Sequence, residues 1–311
     1  MKKKLIYFMK SPYREELKVW GYHFGKEEPS ACIVGSMRGN EIQQMYVCSQ
    51  LIRRLHELEQ KGGIVSDNGI LVIPAVNYYA ENIGKRFWPA DNRDINRMFP
   101  GNHAGETTER IAAGVFEQIR GYNYGIQLAS FYRPGDFVPH VRMMETGYQS
   151  ASLANLFGLP FVVVRKPQPI DTATLNYNWQ MCKTNAFSVY TRETDRIDEE
   201  SAGQAVSAIL RFLTRMGIVR YNSHSGYIAS VINEGDLMAV YSGCGGIYRR
   251  CKDPGQEVRQ GEKIAEVLHP YEGNVIETIE APCDGIVFFA YKKPLVNEHE
   301  IVYQIIKRMH E

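Results

Sequence analysis

The run Asp94-Ile95-Asn96-Arg97-Met98-Phe99-Pro100-Gly101 sets an acid, a carboxamide and a guanidinium in close succession, with Arg86 shortly upstream in Lys85-Arg86-Phe87-Trp88-Pro89. A guanidinium forks onto a carboxylate through paired N–H donors, and a carboxamide can hold a developing oxyanion. Taken singly, Arg86, Asn96 and Arg97 read as solvated loop residues; only the whole string argues for a built site. A second candidate stands in Ser188-Val189-Tyr190-Thr191-Arg192-Glu193-Thr194, where a β-prone run ends near Glu193. Within hydrogen-bond reach of a reacting group, such a carboxylate can take up and return a proton. The plain alternative is a surface glutamate at a strand end.

The remaining reactive side chains are less organised. The six cysteines, Cys32, Cys48, Cys182, Cys244, Cys251 and Cys283, form no Cys-x-x-Cys pair. They suit free or buried thiols in a reducing compartment rather than a zinc ribbon. A formal net charge of +1 leaves no overall field to draw in nucleic acid or an anionic membrane. After Met1-Lys2-Lys3-Lys4, only Leu5 to Met9 precede Lys10 and the charged run Arg14, Glu15, Glu16 and Lys18. That is too short for a signal-peptide core or a membrane span, so the expected compartment is the cytoplasm.

The elements that must position these residues follow from periodicity. Ala31–Gly35, Gly69–Pro74 and Pro160–Val164 are short apolar runs that read as buried strands. Glu41–Gln60 carries apolar residues at helical spacing, and Gly203–Met216 repeats the pattern as the last helix of an α/β domain. From about Tyr221 the texture changes to β-prone runs separated by glycines: Tyr227–Ala229, Leu237–Val240, Gly246–Tyr248, Lys263–Val267 and Gly285–Phe289. The expected organisation is an α/β domain over residues 1–221 and a small all-β barrel or sandwich over residues 222–311. Asp253–Ile264 and Ala281–Val287 in the latter resemble the two halves of biotinyl/lipoyl-like domains. Those carry a cofactor on a lysine at a hairpin tip, and Leu268–Val275 holds no lysine. A structural role is therefore expected here.

The signature string, the Ile73-Pro74-Ala75-Val76-Asn77 strand end and the Glu193 motif together resemble the succinylglutamate desuccinylase/aspartoacylase family of zinc-dependent deacylases. The resemblance implies a zinc-carboxypeptidase-like mixed sheet flanked by helices. It also implies that Arg86, Asn96 and Arg97 bind substrate and that Glu193 is the catalytic base. Family members end the first strand with His-Gly-(Asn/Asp)-Glu, which gives zinc two ligands. Here Gly35-Ser36-Met37-Arg38-Gly39-Asn40-Glu41 keeps Glu41 and puts Arg38 at the histidine position. A third ligand comes from Asp-(Leu/Phe)-His, where this chain has Gln127-Leu128-Ala129. Glu41 is thus the one retained metal ligand, with Arg38 and Ala129 in the other two places.

An arginine stays protonated and has no lone pair to offer a dication. Arg38 is expected to pair with Glu41 and Glu193 and to join the ligand-recognising groups. His140 and His103 lie near family-like motifs but not at ligand spacing to Glu41, and Cys32 reads as core. The expectation is a protein without a cofactor that binds a small carboxylate-bearing or N-acyl ligand. The alternative is an active hydrolase using a relocated metal, or metal-independent chemistry with Glu193 as general base. Tyr132, Arg133 and His140 are candidate pocket residues, Trp88 and Trp179 read as core, and homo-oligomerisation stays open.

Overall fold

The computed structural model describes residues 1–10 and 15–308; Arg14 of the early charged run lies outside them. The chain divides into one unit of residues 1–130 and 139–231 and another of residues 131–138 and 232–311. The expected boundary at 221/222 is therefore displaced. Beyond it the backbone still serves the first unit, since the Tyr227 and Ser230 amides donate to the carbonyls of Gly158 and Pro160, each at 3.0 Å. The earlier excursion, residues 131–138, has no counterpart in the sequence reading.

Along the chain run β1 (Lys2–Met9), β2 (Leu17–Gly25), β3 (Pro29–Ser36), α1 (Ile42–Gln60), β4 (Gly69–Ala75), α2 (Tyr78–Glu81), α3 (Thr107–Ile119) and β5 (Tyr124–Ala129). Then come β6 (Gly135–Phe137), β7 (His140–Met144), α4 (Ala151–Asn155), β8 (Phe161–Arg165), α5 (Leu175–Met181), β9 (Asn185–Tyr190), α6 (Glu199–Arg215) and β10 (Ser230–Asn233). The strands of the main sheet lie in the order β1-β2-β4-β3-β5-β9-β7-β8-β10. β4, β3, β5 and β9 are mutually parallel, while β2 and β7 flank them antiparallel, so the sheet is mixed.

Parallel strands are covered on both faces and so are apolar almost throughout, which is why β3 and β4 stand out in the sequence. On one face α1 and α6 bring Val47, Leu51, Leu55, Ile209, Phe212 and Leu213 onto Ile33, Val72, Ile126 and Val189. On the other, Ile111 and Val115 of α3 join Trp179 in a cluster with Cys32, Val34, Leu71 and Ile73. Cys32, Trp88 and Trp179 are core residues, as read. The β1–β2 hairpin was not anticipated: β1 is an edge strand whose first four residues are exposed, and its short apolar run Leu5–Met9 follows three lysines. No helix among the described residues is long and apolar enough to cross a membrane.

The second unit contains β11 (Leu237–Tyr241), β12 (Gly246–Arg250), β13 (Glu257–Val258), β14 (Lys263–Leu268), β15 (Val275–Glu280), β16 (Gly285–Tyr291), β17 (Leu295–Val296) and β18 (Ile301–Lys307). They form two sheets, β11-β18-β16-β13 and β15-β14-β12-β17. β6 adds to β16, pairing Phe137 with Phe289, and Phe131 and Phe288 pack on the same ring. Asp136 beside it is buried and paired with Arg250 at 2.7 Å. Tyr227–Ala229 is not a strand, and Ile228 is fully exposed. The lysine-free tip joins β14 to β15, with Tyr271 exposed at its centre.

Candidate functional site

The C-terminal ends of parallel strands in an α/β sheet are where ligands bind, because the loops leaving them converge. In this sheet the ends of β3, β4, β5 and β9 lead into Met37–Glu41, Val76–Glu81, Ser130 and Thr191–Thr194. The register aligns Ala129 with Tyr190 and Tyr190 with His140 in one row, and Gln127 with Ser188 and Ser188 with Arg142 in the row behind. His140 is buried and lies face to face with Tyr190 at 4.7 Å, and the Arg142 guanidinium sits 5.0 Å from the same ring.

The turn after β3 is drawn tight by Glu41, which is 1% exposed at the head of α1. One carboxylate oxygen accepts the backbone amides of Met37 and Arg38 at 2.9 and 3.1 Å. The other accepts Nη1 of Arg38 at 3.0 Å and the hydroxyl of Ser130. Gly39 is required in this turn, since a Cβ there would stand 2.1 Å from the carbonyl carbon of Ala80. Its amide donates to the carbonyl of Arg86 at 3.2 Å, which draws the Arg86 segment alongside. Gln43 in the first turn of α1 donates its amide to the Thr194 carbonyl at 3.1 Å, which ties in the segment bearing Glu193.

Arg38 is 3% exposed and joins two acids. Besides Glu41, it meets Asp94 side-on: Nε lies 3.1 Å from both carboxylate oxygens, and Nη2 2.9 Å from one. Asp94 also accepts the Asn96 amide at 3.0 Å and so caps the single 3-10 turn Ile95–Arg97. On that turn the Asn96 side-chain oxygen accepts the Leu175 amide at 3.3 Å. Arg97 donates to the Ile170 carbonyl at 2.7 Å and stands 3.5 Å from Asp171, which Arg165 also engages at 2.9 Å. The signature ends on Gly101 at φ +93°, where a Cβ would lie 2.1 Å from the Ala113 amide nitrogen. A side chain there would be strained and would clash.

Of the two acids expected to pair with Arg38, Glu41 and Glu193, the first does so, and Asp94, which the sequence did not assign, shares the guanidinium. Glu193 is 3% exposed, and its carboxylate accepts from Arg196. Ser130, directly after Ala129, and Arg196, three residues after Glu193, were also missed; their proximity in sequence was the available signal. Tyr132 and Arg133 fall in the 131–138 segment of the second unit. His103 pairs with Glu117 at 2.8 Å.

Close by, burial pushes the Glu81 carboxyl up to about 7, a hydrogen bond with Ser36 opposes this, and the Glu41 charge adds to it.

These residues do not offer zinc a donor set. Arg38 lacks a lone pair, Ala129 presents a methyl group, and both oxygens of Glu41 already accept two hydrogen bonds each. Among the described residues no three His, Cys, Asp or Glu gather as a metal site.

Residues 27–216, well over half the chain, match the Succinylglutamate desuccinylase/Aspartoacylase catalytic domain. Over 112 residues the chain is 29% identical to N-alpha-acetyl-L-2,4-diaminobutyric acid deacetylase of Halomonas elongata, a match that spans 34% of this chain and 31% of that enzyme. A succinylglutamate desuccinylase from Silicibacter sp. TM1040 shares the fold with a TM-score of 0.81 at 17% identity, covering 98% of this chain and 94% of its own. The succinylglutamate desuccinylase/aspartoacylase of Rhodobacter sphaeroides gives 0.78 at 20%, with 95% and 91% covered. The product-bound ectoine utilization protein EutE (DoeB) of Ruegeria pomeroyi gives 0.75 at 19%, with 93% and 89% covered. At these identities the structures speak for the fold, and the catalytic-domain match carries the assignment: the chain belongs to the succinylglutamate desuccinylase/aspartoacylase family.

Proposed function

We propose that this protein binds a small carboxylate-bearing or N-acylated amino acid in the family's cleft without zinc and without turning it over. The observation that supports this reading is the placement of Arg38, whose guanidinium lies on Glu41 and Asp94 where a dication would need their charge. Losing both Lewis-acid polarisation and an activated water removes several kcal/mol of barrier lowering, which an unactivated amide cannot spare. Arg86, Asn96 and Arg97 serve as the ligand-gripping groups, with Arg38 behind them, in a cytoplasmic protein. The Halomonas relative suggests N-acetyl-2,4-diaminobutyrate as a first ligand to try.

A second reading, hydrolysis with Glu193 as general base, is favoured by the burial of that carboxylate against Arg196. Zinc per chain, measured before and after zinc loading, and calorimetric titration with N-acetyl-2,4-diaminobutyrate and N-acetylaspartate in chelator test both. The expected result is zinc near zero and binding unaffected by chelator. Tightly held zinc near one per chain, or release of acetate at an enzymatic rate, would overturn the non-catalytic reading.

A further inference from the structure

We propose that Arg38 is a positioning residue: by clamping Asp94 against Glu41 it sets the 3-10 turn that presents Asn96 and Arg97. The inference rests on the ligand-binding reading above for its affinity arm, and on geometry alone for its exchange arm. The Asp94 carboxylate accepts four hydrogen bonds from two sources, three from the guanidinium of Arg38 on one side and one from the Asn96 amide on the other. The Arg97 amide donates to the Asp94 carbonyl at 2.8 Å, so Asp94 holds two of the turn's amides, those of Asn96 and Arg97, while that of Met98 goes to Ile95 at 3.1 Å. Arg38, Glu41, Asp94 and Asn96 are all less than a tenth exposed. Held in low dielectric, the two carboxylates would repel one another without a cation between them.

A planar guanidinium can face both acids at once. A lysine ammonium is a point charge on a flexible stem and cannot reproduce that fork. The consequence is that the β3–α1 turn and the signature turn, far apart in sequence, are held as one rigid piece. Ligand grip at Asn96 and Arg97 then depends on a residue that does not itself need to touch the ligand.

The test uses the full chain with Arg38→Lys and Arg38→Ala. Amide hydrogen exchange at Asn96, Arg97 and Met98 is followed with α6 as an internal control, together with affinity for N-acetyl-2,4-diaminobutyrate. The expected result is exchange at these three amides at least tenfold faster with α6 unchanged, and binding weakened at least tenfold. Added methylguanidinium should restore both in Arg38→Ala, which a general loss of folding would not allow. Unchanged exchange in a folded Arg38→Lys protein, or no rescue of a folded Arg38→Ala protein, overturns the proposal. If the unaltered protein fails to bind this probe, the functional reading is what has failed, and the exchange and rescue results still decide the role of Arg38.

Discussion

Replacing Glu81 by glutamine should make stability less dependent on pH. The folded carboxyl titrates at about 7 against an ordinary 4.5. A folded-state value above the unfolded one means that the native protein holds this proton more tightly. The group's stabilising contribution is therefore complete below pH 4.5 and is lost as pH rises to about 7. Each pH unit across that window is worth about 1.4 kcal/mol, an upper bound of about 3.5 kcal/mol in all. Glu81 is only partly buried, so solvent screening reduces the figure to about 1–2 kcal/mol. A glutamine of the same shape is neutral at every pH. Denaturation by urea at pH 5 and pH 8 reads the effect through Trp20, Trp88 and Trp179, the three tryptophans, all of which lie in the first unit. The variant should match the unaltered protein at pH 5 and exceed it by about 1–2 kcal/mol at pH 8. Equal curves at both pH values, or a variant weaker at pH 8, would refute the reasoning.

Two further outcomes are expected. Gly125→Ala places a methyl 2.6 Å from Cε3 of Trp179, a fully buried ring whose indole N–H donates to the Ile119 carbonyl at 3.0 Å. Overpacking of that kind costs about 1–3 kcal/mol, and a melting temperature equal to that of the unaltered protein would contradict it. Thiol labelling of the native protein followed by peptide mapping should find Cys182 and Cys251, which are exposed, before Cys32 and Cys48. Burial pushes both of the latter thiols up and keeps them from reagent; rapid labelling of Cys32 would contradict the packing.

The parts of the fold visible in sequence are those where burial on two faces makes the pattern unambiguous. β3, β4 and β8 announce themselves as apolar runs, and α1 and α6 by helical spacing. β1 does not, because an edge strand with Lys2, Lys3 and Lys4 solvated looks like a polar leader. Tyr227–Ala229 shows the reverse: apolar letters without a ladder to join, since sheet pairing begins at Ser230. In the site, the signature and Glu41 could be read, and the identity of Arg38 raised the question of its partners. The sequence could not say that Asp94 would be one of them. That contact joins two loops from different strands, and such partnerships depend on tertiary register rather than on local pattern.

The excursion of residues 131–138 into the second unit sets an order of events during synthesis. Phe137 is made with the first unit's central strands, but its partner Phe289 emerges only near the end of the chain. At ribosomal rates of about 5–20 residues per second, that wait is on the order of ten seconds. Through it, Phe131 and Phe137 stay without the strand that covers them in the folded unit. A chain stopped after Val231 would never acquire one, so the first unit expressed by itself would carry a permanently sticky loop directly after Ser130, the residue that bonds Glu41.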